Sequence, residues 1–411
     1  VYMPSEGKNL IGVDIGSTSI KVCEIREGRR GARTITRFGF HPLPAETIVD
    51  GHIINSGAVV EGLEKLFAKS KRRNVALRAS GHSVIIKKIA MPLMTAGELQ
   101  EQINWEAEQH IPFDLDEVHV DYEVLHERTD HGQMDVLLVA AKKEEITDLT
   151  NLAVEARLRP MVVDLDAFTV QNVFEAGYGD ATEEETTVLV HCGAATTTVN
   201  ILADATTAFT RDIANGGNAI TEEIQRQLGI GRDEAESYKC GGEGHGIVPR
   251  EVPEIVNQAV EQLAGEIQRS LDFYLATSGD RDLTRICLSG GTANIQALSD
   301  ILQGRAQVPV QLLDPTKSYI LAFVTLLATA GASIWGKGFM RLSSILFGLG
   351  VGYLLSIFMG VVDFSAVANA SLITVPKFIL PELNWEAILF IVPIAIAPAI
   401  EHYGDISAIS N

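Results

Sequence analysis

Two short turns of small residues occupy equivalent places in two strand-turn-strand patterns. Gly16-Ser17-Thr18 follows the apolar run Leu10–Ile15, and Cys192-Gly193-Ala194-Ala195 follows Thr187–His191. A small-residue turn between antiparallel strands exposes consecutive backbone N–H groups and admits a phosphate close to the main chain. The hydroxyls of Ser17, Thr18 and Thr196 can add donors. Two such turns facing each other would clasp a polyphosphate. Asp14, ending the first run, would point into the same space, where a carboxylate suits a magnesium ion held through its water shell. A third element, Ser289-Gly290-Gly291-Thr292, lies between a strand and a predicted helix at 294–302, offering a glycine surface and a helix N-terminus to a nucleoside. Either turn alone is equally an ordinary hairpin with glycine where the backbone demands it. The three together point to a nucleotide.

The elements that must position these residues follow from periodicity. Leu10–Ile15, Ser19–Arg26 and Thr34–Phe40 read as a three-stranded meander, and Thr187–His191, Thr196–Leu202 and Thr206–Ile213 repeat it. Written without gaps, Asp14 falls on His191, Gly16 on Gly193 and Val22 on Val199, which predicts an internal duplication. Between the copies come a helix at 58–69, strands at 75–79 and 83–89, and a helix opened by Thr95 with Glu98 three positions later, a capping box. Strands at 118–126 and 134–141, a helix at 144–157, a strand at 161–165 and a helix at 167–175 complete the first half. After the second copy come helices at 219–228 and 232–238. A long amphipathic helix follows, with apolar Val256, Val260, Leu263, Ile267, Leu271 and Tyr274, then a strand at 285–288. Two α/β halves facing one another imply a cleft.

The 411 residues carry 33 Lys+Arg against 53 Asp+Glu, a formal charge of -20. That balance argues against a nucleic-acid binder, because affinity for phosphate backbones comes from clustered cations. Cys23, Cys192, Cys240 and Cys287 form no CxxC pair or disulfide framework, which fits a reducing compartment. The polar start VYMPSEGKNL lacks the apolar core of a signal peptide, and the cytoplasm is expected.

The run Gly12-Val13-Asp14-Ile15-Gly16-Ser17-Thr18-Ser19-Ile20-Lys21 resembles the first phosphate motif of the actin-like ATPase superfamily. Residues 190–198 resemble its second phosphate motif, and residues 288–293 its adenosine motif. Residues 105–125 (WEAEQHIPFDLDEVHVDYEVL), Met161–Asp166 and the Asn215–Asn218 turn are similar to the PilM family of cytoplasmic type IV pilus assembly proteins. The resemblance spans about residues 9–314. It implies an α/β, actin-like (ribonuclease H-like, duplicated) two-lobed fold with a small inserted subdomain. The first lobe would cover 1–165, with the partner-binding insertion at about 90–160, and the second lobe 166–315.

The resemblance also implies ATP and magnesium as cofactors. Asp14 would be the magnesium-side carboxylate, with Gly16, Ser17, Thr18 and Lys21 at the first phosphate motif. Gly193, Ala194, Thr196 and Thr197 would form the second turn, Gly290, Gly291 and Thr292 the adenosine contact, and Lys239 would approach the ribose or base. His191 stands where many relatives carry an aspartate that organises the attacking water. A histidine could act as a base there or be merely structural. Binding with weak or absent hydrolysis is therefore expected. The implied partners are the N-terminal peptide of a PilN-like bitopic protein of the inner membrane and other pilus assembly proteins, with no nucleic acid. A kinase on the same fold is the alternative from the enzyme class.

The tail from 316 to 411 differs in composition. It carries apolar runs at 318–335, 340–362 and 385–400, three membrane-span candidates, so a mainly α-helical hydrophobic tail with possible membrane contact is expected. From about residue 320 it resembles the nucleobase:cation symporters, in which a glutamate that falls here on Glu401, with Asp405 nearby, helps hold the nucleobase. Three spans are too few for the inverted repeats such carriers use. With the first 315 residues in the cytoplasm, Lys337 and Arg341 would fall on the far side of the first span, against the preference for cytoplasmic positive charge. A fusion of an actin-like protein to a transporter fragment accounts for both observations.

Overall fold

A computed structural model describes residues 10–27, 33–49, 51–81, 83–128, 132–178, 185–242, 247–278 and 282–313, and 349–351, 353–355 and 357. The first lobe opens with β1 (Ile11–Ile15), β2 (Ser19–Glu27) and β3 (Arg33–Pro42), an antiparallel meander. Ile11, Val13, Ile20 and Val22 alternate inward and are buried, which selects this register. Two short strands, β4 (Ile48–Val49) and β5 (His52–Ile53), precede α1 (Ser56–Phe67). Its Val59, Leu63 and Phe67 fall on one face and pack on the sheet, and Asn55 caps it by accepting from the Ala58 N–H. The strand β6 (Asn74–Ala79) then pairs parallel with β1.

The chain next builds a smaller unit with its own core. It comprises β7 (Val84–Pro92), α2 (Ala96–His110), β8 (Val118–Arg128) and β9 (Gln133–Lys142), with the strands in the order β7-β9-β8. The predicted capping box is present: the Glu98 N–H donates to the Thr95 hydroxyl and the Thr95 N–H to the Glu98 carboxylate. Leu99, Ile103 and Ala107 of α2 pack on Met91, Met134, Val136 and Leu138. Helix α3 (Lys143–Glu155) returns to the first lobe, where Leu152 and Ala153 join its core, and β10 (Arg159–Leu165) pairs parallel with β6.

The second lobe comprises α4 (Asp166–Tyr178), β11 (Thr187–Cys192), β12 (Thr197–Ala203), β13 (Thr206–Ile213), α5 (Gly217–Leu228), α6 (Arg232–Lys239), α7 (Val252–Ser278), β14 (Arg285–Ser289), α8 (Gln296–Ala306) and β15 (Val310–Leu312). Its sheet runs β13-β12-β11-β14-β15, and the first lobe runs β10-β6-β1-β2-β3, one connectivity used twice. The duplication holds at the level of single bonds. Asp14 pairs with Lys21 in the first hairpin and His191 with Thr198 in the second. The Gly16 N–H closes its turn on the Ser19 carbonyl at 3.0 Å, and the Gly193 N–H on the Thr196 carbonyl at 2.9 Å. Helix α7 buries Val260, Leu263, Ile267, Leu271 and Tyr274 against this sheet.

The helix predicted from Asn294 starts later. A 3-10 turn (Thr292–Asn294) follows the diglycine, extended Ile295 interrupts it, and α8 begins at Gln296. The α-helical N-terminus therefore does not abut Gly291. A second unit begins at Leu349, and its described residues, 349–351, 353–355 and 357, are helical. The span candidates otherwise lie outside the described residues, as do Glu401 and Asp405. Among the described residues no helix is long and apolar enough to cross a membrane.

Candidate functional site

The second lobe's share of the cleft is built on backbone contacts. The Gly193 carbonyl accepts the Gly217 N–H at 3.0 Å and the Thr292 hydroxyl at 2.8 Å, and the Ala194 carbonyl accepts the Asn218 N–H at 2.7 Å. The β11–β12 turn, the start of α5 and the diglycine loop thus meet at one place. Gly290 has φ +90°, and a Cβ there would run into the Cys192 backbone. Gly291 has ordinary helical backbone angles, is exposed, and has open space where its side chain would be. Of the three residues expected to contact adenosine, Gly290 and buried Thr292 hold the loop down, and Gly291 presents a free face.

Two other expected ligands are also engaged inside the lobe. Thr197 is fully buried, and its hydroxyl donates to the Asn215 carbonyl at 2.8 Å. It lies opposite Cys192 on the core side of the hairpin, so its side chain does not line the turn. Lys239 reaches the right neighbourhood, but its ammonium donates to the Gly217 carbonyl at 3.1 Å and to the Glu236 carboxylate at 2.6 Å. It braces α5. In the first lobe's turn, Gly16 and Ser17 are half-buried and Thr18 is exposed. The Thr18 carbonyl accepts the Leu43 N–H at 2.9 Å, which ties the turn to the end of the meander.

The first lobe's share is charged, and Asp166 at the start of the second lobe completes it. Arg78, near the end of β6, sends Nε to Asp14 Oδ1 and a terminal nitrogen to Asp166 Oδ2. Lys21 holds the other Asp14 oxygen at 3.0 Å. Burial opposes the charge on Asp14, but Arg78 and Lys21 outweigh it and hold the carboxyl below its ordinary range. Burial likewise opposes the charge on Arg78, and Asp166 and Asp14 overcome it and keep the guanidinium protonated. His191 feels the same cluster. Burial, reinforced by Arg78 and Lys21, pushes its imidazole down against the pull of Asp166 and Asp14, and its Nδ1 lies 3.0 Å from the Ser289 hydroxyl.

The expectation that Asp14 holds magnesium through water meets a different arrangement, in which both its oxygens carry cationic partners. Asp14 and Asp166 balance Arg78 and Lys21, and the equivalent position in the second lobe offers an imidazole nitrogen. A hard divalent ion favours an oxygen-rich, anionic shell; the cluster as arranged does not fit one. Arg78 and Asp166 are the site residues that sequence reasoning missed. The available signals were an arginine inside the apolar strand Asn74–Ala79 and an aspartate at the start of a helix. A cavity of about 220 Å³ adjoins the cluster, lined in part by Ser80, Gly81, Ile85, Asp166, Thr198 and Asp212. The Gly81 N–H and the Thr198 hydroxyl both donate to Asp212, at 3.1 and 2.7 Å, which ties the first lobe to the second.

Two lobes of one connectivity, joined by the Arg78–Asp166 and Gly81–Asp212 bonds, define an actin-like protein. The model of the type IV pilus assembly protein PilM matches residues 12–323. The chain belongs to that family. Among solved structures, a PilM-PilN type IV pilus biogenesis complex is similar to the fold at a TM-score of 0.66 and 21% identity, covering 84% of this chain and 98% of that one. A permease family model matches residues 292–411 and overlaps the first match. A probable uracil permease of Haemophilus influenzae is 47% identical over 92 residues, 22% of each chain. The uracil permease of Escherichia coli K12 is 33% identical over 114 residues, 28% of this chain and 25% of that one. The chain thus spans about a quarter or less of the permeases it matches.

Gly290→Ala should destabilise the protein by about 2 kcal/mol or more through strain and overlap, whereas Gly291→Ala should stay within about 0.5 kcal/mol in urea unfolding. His191 titrates lower folded than unfolded, so the unfolded chain binds more protons below pH 6.5, and stability falls as pH drops through that value toward the folded pKa. His191→Gln should flatten the stability profile between about pH 7.5 and 5.5.

Proposed function

We propose that this protein is an ATP-binding, actin-like scaffold of type IV pilus assembly that captures the cytoplasmic N-terminal peptide of a PilN-like bitopic protein at the inner membrane. The observation that carries the nucleotide half is the convergence of the Gly193 turn and the Gly291 face in a lobe whose partner repeats the same hairpin. The Gly16-Ser17-Thr18 and Gly193-Ala194-Ala195-Thr196 turns would take the phosphates, with Lys21 supplying charge, and Gly291 would take the nucleoside face. Magnesium on Asp14 is not carried into this reading, because Arg78 and Lys21 hold that carboxylate. Hydrolysis is weak or absent in it, because His191 is kept neutral and tied to Ser289 where an acid would otherwise orient water.

The partner half is supported by family membership and by the compact sheet-and-helix unit at 84–142, which has its own core. Other pilus assembly proteins would dock through that assembly, on the cytoplasmic side. A second reading concerns the tail alone. The 47% identity over 92 residues favours a permease fragment, with Glu401 and Asp405 as remnants of a nucleobase site. Transport is not proposed, since such carriers surround substrate with two repeats.

The decisive variant is Gly291→Trp in the full chain. The Cβ position at Gly291 is open and the residue is exposed, so the melting temperature should hold while ATP affinity falls by about tenfold or more, as a designed clash does. Calorimetric titration with ATP checks this, and unchanged affinity would remove the nucleoside face from the site.

A further inference from the structure

We propose that Arg78 is the resident cation of the cleft: its guanidinium occupies the space between Asp14 and Asp166, so the chain binds a nucleoside triphosphate without needing a divalent metal on those carboxylates. This rests on the nucleotide reading above. The guanidinium is a rigid planar fork whose donors can serve two carboxylates at once, which a lysine ammonium does less well. Here one edge takes Asp14 and another nitrogen takes Asp166. The side chains are 20% exposed for Arg78 and 7% for Asp166, so the arrangement is mostly shielded from water. Lys21 covers the remaining Asp14 oxygen at 3.0 Å and is itself 44% exposed toward solvent.

The charges therefore close without a metal. A divalent ion entering between the two carboxylates would meet two cations and displace charge-assisted bonds that a partly buried pair does not surrender cheaply. Removing Arg78 reverses the situation, for it leaves two carboxylates sharing one space with a single ammonium nearby. Such a pair recruits either protons or a hard cation. Phosphate charge in the native chain is met by Lys21 and the N–H groups of the two turns.

The test is calorimetric titration of ATP into the full chain, once with EDTA and once with Mg²⁺. The two affinities should agree within about threefold. Arg78→Ala should bind ATP about tenfold or more weakly in EDTA than in Mg²⁺, and Arg78→Lys, which keeps the charge but loses the planar fork, should fall between the native chain and Arg78→Ala. If the native chain loses about tenfold or more on chelation, the resident-cation assignment falls and nucleotide binding stands. If ATP binds in neither buffer, both fall. The native comparison stays decisive even where a variant fails to fold. Mn²⁺ titration followed by electron paramagnetic resonance adds a readout without nucleotide: Arg78→Ala should take up an ion that the native chain leaves free, and equal uptake by both overturns the proposal.

Discussion

The Gly193 carbonyl is the point on which the second lobe's half of the cleft depends. It receives an N–H from the start of α5 and a hydroxyl from the loop after β14, while the N–H of the same residue closes its own hairpin. Single bonds of this kind contribute about 1 kcal/mol each. Their larger effect is geometric, since three segments distant in sequence are brought within one peptide's reach. Such close stacking requires missing side chains. A Cβ on Gly216 would stand 2.6 Å from the Gly193 oxygen, and one on Gly217 2.6 Å from the Thr292 hydroxyl. The glycines of this region therefore divide into those against which backbone or a side-chain hydroxyl packs closely and Gly291, which is left to present a surface.

The first lobe repeats the scaffold but solves its half differently. Its turn closes by the equivalent bond, yet its chemistry comes from side-chain charge. The divergence runs through paired positions, Asp14 with Lys21 in one copy and His191 with Thr198 in the other. An aspartate there tolerates burial because Arg78 and Lys21 supply the opposite charge. A protonated imidazole would add a third cation, and burial together with Arg78 keeps His191 neutral. The cleft thus sets a charged cluster, Arg78 and Lys21 against Asp14 and Asp166 from the start of the second lobe, beside a hairpin of the second lobe that offers neutral dipoles.

Much of this was legible because it is local. Alternation fixed the two meanders, the capping box fixed the start of α2, and the shared spacing of Asp14, Gly16, His191 and Gly193 exposed the duplication. Thr197 was readable and misread: the parity that puts Cys192 in the core puts its opposite neighbour there too. The break at Ile295 left no comparable mark, since a non-glycine residue can turn extended under tertiary control. The Arg78–Asp166 pair was out of reach for a different reason. Its members lie in separate elements with the whole inserted unit between them, and neither residue type carries any sign of its partner. A buried ion pair is a property of the assembled sheet.

The same pair sits where the chain changes lobes, and this joins fold to site. Arg78 is one residue from the end of β6, after which the chain leaves for the small subdomain through Gly81 and β7. Asp166 follows directly on β10, where the chain passes into the second lobe. Gly81 is bound to Asp212 of β13. The root of the subdomain is therefore anchored to both lobes within a few residues of the charge cluster, and the cavity lined by Gly81, Ile85, Asp166 and Asp212 occupies that junction. Packed elements shift as bodies because their cores resist small deformations. The carboxylate that balances Arg78 therefore lies at the junction from which the small subdomain leaves the first lobe, and any shift of one lobe against the other would load that junction.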